Sequence, residues 1–178
     1  MRSLTDQLAQ YADYHRDRRN IVTHFVGIPM IVLAVQVLLS RPAWQAGGWV
    51  LSPALVVTVL TCLYYLVLDR PLGVLMSVLL AAGLALSAGL AAQPTAVWLA
   101  WGIGLFVVGW VIQFVGHIFE GRKPAFVDDV IGLVIGPLFV VAEVVFALGL
   151  RRDLHAAIEA RVGPVRSGPR AAAGSART

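Results

Sequence analysis

Residues 21–39 carry no charged side chain, and four further apolar stretches follow, at roughly 50–68, 72–92, 96–119 and 130–150. A helix needs ~20 apolar residues to cross the hydrocarbon core of a bilayer, and the first four runs have that length. Lipid offers no partner to a free peptide group, so such runs fold as helices and not as open strands. Composition calls for the same solvent. The chain of 178 residues is 58% hydrophobic and 13% charged, where a soluble domain carries ~25% charged residues. That is more apolar surface than a single soluble core of this length can bury. The expected fold is therefore all-α, a polytopic membrane helical bundle with four full spans. Gly132, Gly136 and Pro137 interrupt the fifth apolar segment, which is expected to be tilted, broken or re-entrant.

The flanks divide the chain into residues 1–20, 21–150 and 151–178. In the first, Leu4, Leu8, Tyr11 and His15 recur at helical spacing while Asp6, Asp13, Arg16 and Asp17 point elsewhere, the pattern of an amphipathic helix over 3–17 lying on the membrane surface. Arg18-Arg19-Asn20 interrupts it, and Asn20 is a candidate N-cap for the next helix. This start is too polar for a cleavable leader, so the first span reads as a retained anchor. From Gly163 on, Ala, Gly, Arg, Ser and Pro dominate, and the basic C-terminal part reads as a largely disordered tail. Trp44, Trp49, Trp98 and Trp101 lie near run ends, as interfacial aromatics do. Cys62 is the single cysteine, which excludes an internal disulfide and points to a packing role.

Charge gives an orientation. Arg2, Arg16, Arg18, Arg19, Arg70, Arg122 and Lys123 fall on one side of four spans and Arg41 alone on the other, so the N-terminus is expected in the cytoplasm. Arg151 and Arg152 follow the same rule only if the fifth segment returns to that side. The net charge of +4 does not indicate nucleic acid. The arginines flank apolar runs and form no basic face with exposed aromatics; they suit topology, anionic lipid or an acidic substrate. Arginine greatly outnumbers lysine, and Ala and Gly abound. The bacterial inner membrane is the expected location, or the endoplasmic reticulum in a eukaryote.

Polar side chains inside apolar runs are the candidates for chemistry, since a charge near a helix centre costs ~2.5–3.5 kcal/mol on insertion scales. His15 and His24 are nine steps apart, and at ~100° per residue they fall on opposite faces of one straight helix. A shared ligand needs a break between them, which Arg18-Arg19-Asn20 supplies; both then meet at the cytoplasmic boundary. Trp110, Gln113, His117 and Glu120 form one stripe on the fourth span, which ends on that side. His117-x-x-Glu120 has the i, i+3 spacing of metal sites in bundles. Three imidazoles with nearby carboxylates suit Fe, Zn, Cu or Ni better than Mg or Ca, and the lack of thiolate argues against structural zinc. Blander roles exist for each group: a surface histidine for His15, a carbonyl partner for His24, a headgroup pair for His117 with Glu120. Glu143 reads as a neutral acid or as a partner behind a ligand imidazole. Asp128 and Asp129 suit the start of the last helix. Arg122-Lys123-Pro124 is a solvated loop or a carboxylate clamp. His155 belongs to a charged stretch with no metal role.

Taken together, Tyr14-His15-x4-Asn20-x3-His24-x4-Pro29, then Gly109-Trp110-x2-Gln113-Phe114-x-Gly116-His117-x-Phe119-Glu120-x3-Pro124-Ala125-x2-Asp128, then Pro137-x5-Glu143, resemble the small membrane 2-hydroxy-fatty-acid dioxygenases, whose fungal member acts in α-oxidation of the 2-hydroxy acid derived from phytosphingosine. The resemblance implies Fe(II), O2 as co-substrate and loss of one carbon from a long-chain 2-hydroxy fatty acid. It implies that His15, His24 and His117 are the functional histidines. One residue separates His117 from Phe119 where the fungal pattern has two, which turns Glu120 around the helix. On this reading Arg18, Arg19, Arg122 and Gln113 meet the substrate, Glu120 or Asp128 is the base, and Asn20 and Glu143 support the ligands. Lipid surrounds the apolar helices; no oligomeric state follows. A zinc-dependent membrane lipid hydrolase would use the same histidines to activate water. A proton-linked transporter or packing subunit would use His24, His117 and Glu143 as a relay, although no inverted repeat is visible.

Overall fold

The computed structural model describes residues 2–47 and 49–167. Within them the chain is mostly helical: α1 (Leu4–Asp13), α2 (Arg18–Ser40), a hairpin of β1 (Trp44–Ala46) and β2 (Trp49–Leu51), α3 (Pro53–Leu68), α4 (Arg70–Ala91), α5 (Thr95–Glu120), a 3-10 turn (Ala125–Val127), α6 (Gly132–Ala147) and α7 (Arg152–Val162). The helix starts follow local chemistry. Ser3 and Asp6 form a reciprocal capping box, and the Ser3 hydroxyl and the Arg161 guanidinium hold the Asp6 carboxyl down at about 2. Ser52 caps α3 ahead of Pro53. Asp69 caps α4 and takes both arms of Arg151, at 3.0 and 2.9 Å.

Several expectations change at this level. The first break falls at residues 14–17, and Asp17, not Asn20, caps α2 by accepting the Arg19 N–H at 2.9 Å. Arg16 and Asp17 are buried and do not face water, because the chain turns inward there. Val50 and Leu51 belong to the hairpin, so α3 has 16 residues, ~24 Å at ~1.5 Å per residue. Three helices, α2, α4 and α5, are long and apolar enough to cross a membrane, or four if α6 and α7, bent by 116°, count as one span. The expected four full spans plus a fifth segment thus become three to four. α1 does not rest its apolar face on lipid: Leu4, Leu8, Tyr11 and Ala12 are buried, packed against α6 and α7. Ahead of the stretch expected to be a disordered tail, residues 152–162 form α7, because Leu154 and Ile158 bury against α1. Residues 168–178 lie outside the described part.

The contact that sets the site is the antiparallel pair α2–α5. Gly102, Gly109 and Gly116 are spaced two turns apart on α5, one stripe along its length. A Cβ at Gly109 would stand 3.0 Å from the Gly27 carbonyl oxygen, and one at Gly116 would stand 2.0 Å from Thr23 Oγ1. The two backbones therefore touch at Gly27 and Gly109, and α2 side chains of Thr23 and Leu38 fill the space at Gly116 and Gly102. Around the bundle, Leu60, Val67, Val78, Val111 and Ile118 remain more than half exposed, an apolar belt that suits lipid. The N-termini of α2 and α4 and the C-termini of α3 and α5 meet at one end, which α1, α6 and α7 cover.

Candidate metal centre

His15 lies just past α1, where its N–H bonds the Ala12 carbonyl at 2.9 Å. Its ring stacks on Tyr11 with centroids 4.2 Å apart. His24 sits in the second turn of α2, and the glycine seam brings His117 of α5 beside it. Ring centroids are 4.4 Å apart for His15–His24 and 5.1 Å for each pair with His117. All three residues are buried. The two histidines that one straight helix would have separated thus converge.

Hydrogen bonding decides what the imidazoles offer. His15 Nδ1 is 2.7 Å from the Tyr11 carbonyl oxygen, and His24 Nδ1 is 2.8 Å from that of Asn20. A carbonyl only accepts, so both Nδ1 atoms carry protons and both Nε2 atoms present lone pairs. Those Nε2 atoms are 3.0 Å apart. Two lone pairs face each other, and only a proton or a cation between them relieves the conflict. A proton is disfavoured, because burial and the neighbouring imidazoles hold His15 well below its ordinary value. A metal fits: each nitrogen would lie ~2.0–2.1 Å from the ion, which 3.0 Å permits. One donor atom from each of His15, His24 and His117 falls within a 4.8 Å span, and among the described residues no carboxylate or thiol joins that set. His117 Nδ1 is buried without a partner. An all-imidazole set suits Fe, Zn, Cu or Ni.

A cavity of about 60 Å³ adjoins His24 and His117, with Tyr11, Gln113, Ile28 and Trp110 among its walls. The Gln113 side-chain nitrogen is buried with no partner, a donor held ready inside an apolar pocket. Tyr11 was visible in the sequence only as one point of an apolar stripe; its second use, under His15, depends on the chain turning back at Tyr14.

The remaining candidates take other places. Glu120 is buried but spends both oxygens on structure: Oε2 accepts from the Asp17 N–H at 2.7 Å and the Asn20 amide at 3.3 Å, and Oε1 from Arg166 at 2.6 Å. Asn20 therefore supports the site twice, by its carbonyl on His24 and its side chain on Glu120. Asp128 lies at the surface between Tyr14 (2.6 Å) and Lys123 (2.5 Å), which together hold its carboxyl below the usual range. Arg19 pairs with Asp17 and Arg122 with Asp13, while Arg18 is exposed. Glu143 is half-buried on α6 and makes no hydrogen bond to the three imidazoles. His155 stacks on Phe146 with centroids 4.7 Å apart, away from the cluster. Arg16, read in the sequence only as a charge, and Arg166, not singled out there, tie the α1–α2 junction to the segment after α7. Arg16 donates to the Gly163 carbonyl at 2.9 Å, and the Arg166 backbone exchanges bonds with Arg16 and Arg18 at 2.7 and 2.9 Å.

Residues 1–148, which include all three imidazoles, match the family described as Mpo1-like, 2-hydroxy-palmitic acid dioxygenase Mpo1-like. The chain belongs to the Mpo1-like family. It is 35% identical over 158 residues to the 2-hydroxy-palmitic acid dioxygenase MPO1 of Saccharomyces cerevisiae, covering 88% of this chain and 87% of the yeast protein. No solved structure matches it. The family match ends before α7, so the Arg166 contacts lie outside it.

Proposed function

We propose that this protein is an Fe(II)-dependent dioxygenase that shortens long-chain 2-hydroxy fatty acids by one carbon at the membrane surface, with His15, His24 and His117 holding the metal. The opposed Nε2 atoms of His15 and His24, 3.0 Å apart with both Nδ1 atoms committed elsewhere, carry the reading; family membership supplies the reaction class. Bound iron would supply O2 activation and a Lewis acid for the hydroxyl and carboxylate of the substrate. The protein's own part is to hold the His15 and His24 nitrogens forward through the Tyr11 and Asn20 carbonyls, with His117 brought beside them by the α2–α5 seam. The Gln113 amide donates to the polar end of the substrate, since a carboxylate entering low dielectric needs a donor. Ile28 and Trp110 keep water from the cavity. Arg18, with no ion pair among the described residues, draws the anionic head to the rim. Arg19 and Arg122 add to that field. With both oxygens engaged, Glu120 holds the α1–α2 junction; Asp128, whose oxygens are held by Tyr14 and Lys123 at the surface, is the other carboxylate that could accept a proton.

Elemental analysis of the purified protein, with O2 uptake on 2-hydroxypalmitate, tests this. Iron near one per chain and an acid-dependent O2 uptake are expected; zinc with O2-independent lipid cleavage would replace the reading by a hydrolase.

The proposed arrangement has α2, α4 and α5 crossing the bilayer with the shorter α3 running back beside α4 as a fourth crossing, α6 and α7 returning to the starting side, and the metal end in the cytoplasm, in a bacterial inner membrane. The excess of arginine at that end supports it. A cysteine placed at Ser3 should be labelled only from the cytoplasm and one at Gln45 only from outside; the reverse pattern would invert the protein.

A further inference from the structure

The cavity beside His24 and His117 shares three walls with a second, larger space. Ile28 and Val32 of α2 and Pro137 of α6 bound both. Past that neck a groove of about 390 Å³ continues between α2, α4 and α6, along Leu33, Met76, Leu80 and Val140. Its walls hold one polar side chain, Gln36. The Gln36 amide donates to Thr58 Oγ1 at 3.2 Å and to the Leu80 carbonyl at 3.0 Å, so the side chain is pinned, while its own oxygen is buried without a partner.

We infer that this groove holds the acyl chain of the substrate, with the carboxylate end at the imidazoles and the methyl end at Gln36; the assignment rests on the dioxygenase reading for the identity of the acid. Length supports it. Gln36 lies ~18 Å from His24 along α2 at ~1.5 Å per residue. A fully extended chain advances ~1.2 Å per bond, the figure for an extended backbone at ~3.6 Å per three-bond residue. The groove therefore takes ~15 bonds in a line, a long-chain acid. Chemistry marks the end: Gln36 is the one polar side chain on an otherwise apolar wall, and it is pinned across the groove to Thr58 and Leu80. The near end is polar and the wall between is apolar, the same order as the parts of a 2-hydroxy fatty acid.

Two measurements test the groove. Ala82→Phe narrows its exposed far wall and Val32→Phe its neck. With a series of 2-hydroxy acids, Ala82→Phe should lower kcat/KM about tenfold for the longest acids, the scale of a mismatch in an apolar pocket, and spare the short ones. Val32→Phe should move the cut-off to shorter chains still. Equal loss at every chain length, or no shift in either variant, overturns the inference. In the second, a 2-hydroxy acid with a photoreactive group at its methyl end is cross-linked to the wild-type protein in detergent. Attachment within residues 79–86 of α4 is expected, even if turnover of the acid is absent and the dioxygenase reading falls. Attachment elsewhere, or full displacement by a bilayer phospholipid, overturns it and makes the groove a site for membrane lipid.

Discussion

α2 buries polar side chains at two levels, and they are solved in opposite ways. At Gln36 both amide hydrogens find acceptors on α3 and α4. The unpaired carbonyl oxygen is the cheaper kind of omission, and the result is a latch between helices. At His24 the hydrogen bonds do the reverse. They settle the Nδ1 side and leave Nε2 aimed at the Nε2 of His15. An unpaired buried polar group is costly at either level, so the second arrangement is the one suited to a bound cation between the nitrogens. A buried polar residue that closes on its own protein is architecture; one whose neighbours commit its donor and leave its acceptor opposed is a candidate ligand.

The largest expected effect breaks the open level. His117→Ala should abolish bound iron and lower turnover by more than ~100-fold, since even groups behind metal ligands cost ~10–100-fold. His15→Ala and His24→Ala should do the same without adding to one another, the three acting as a unit. His155→Ala, purified in the same detergent, should match the wild type in iron per chain and in turnover. Wild-type iron in His117→Ala would remove the contrast altogether. A smaller effect is expected at the support of the site. Glu120→Gln uncouples Arg166, which is partly exposed, and weakens the junction that carries His15. It should cost about 1–3 kcal/mol of stability on thermal melting in detergent, together with ~10-fold weaker iron retention. An unchanged melt would show that the pair does not hold the junction. The smallest effect belongs to the closed level. Gln36→Leu should cost about 0.6 kcal/mol, the average for a hydrogen bond between membrane helices, and leave iron per chain unchanged. Iron loss as large as in Glu120→Gln would join the two levels and dissolve the comparison.

The apolar runs made a mostly helical, membrane-compatible chain legible, because lipid leaves the backbone few choices. The approach of His15 to His24 was also legible, from a nine-residue spacing that demanded a break. The position of that break was not. Asp17 outcompetes Asn20 as the cap, and what lets it do so is Glu120, a hundred residues away, taking the Asp17 N–H. α7 was hidden because its apolar side is thin; Leu154 and Ile158 suffice only because α1 offers the matching face. The hairpin at 44–51 shortens α3 although the run of apolar letters continues through Val50 and Leu51. The seam of Gly102, Gly109 and Gly116 was there to be read as a repeat of small residues two turns apart, and it would have paired α2 with α5.

The contacts of Arg166 also order events in time. A chain leaving the ribosome has made His15, His24 and His117 long before residue 166 exists. During that interval Glu120 has no guanidinium opposite it, and Arg16 lacks the Gly163 carbonyl that holds it. The donors are present and their frame is incomplete. The frame around the three imidazoles is thus completed only after α7 has been made: residues 163 and 166 secure a junction laid down at residues 16–18.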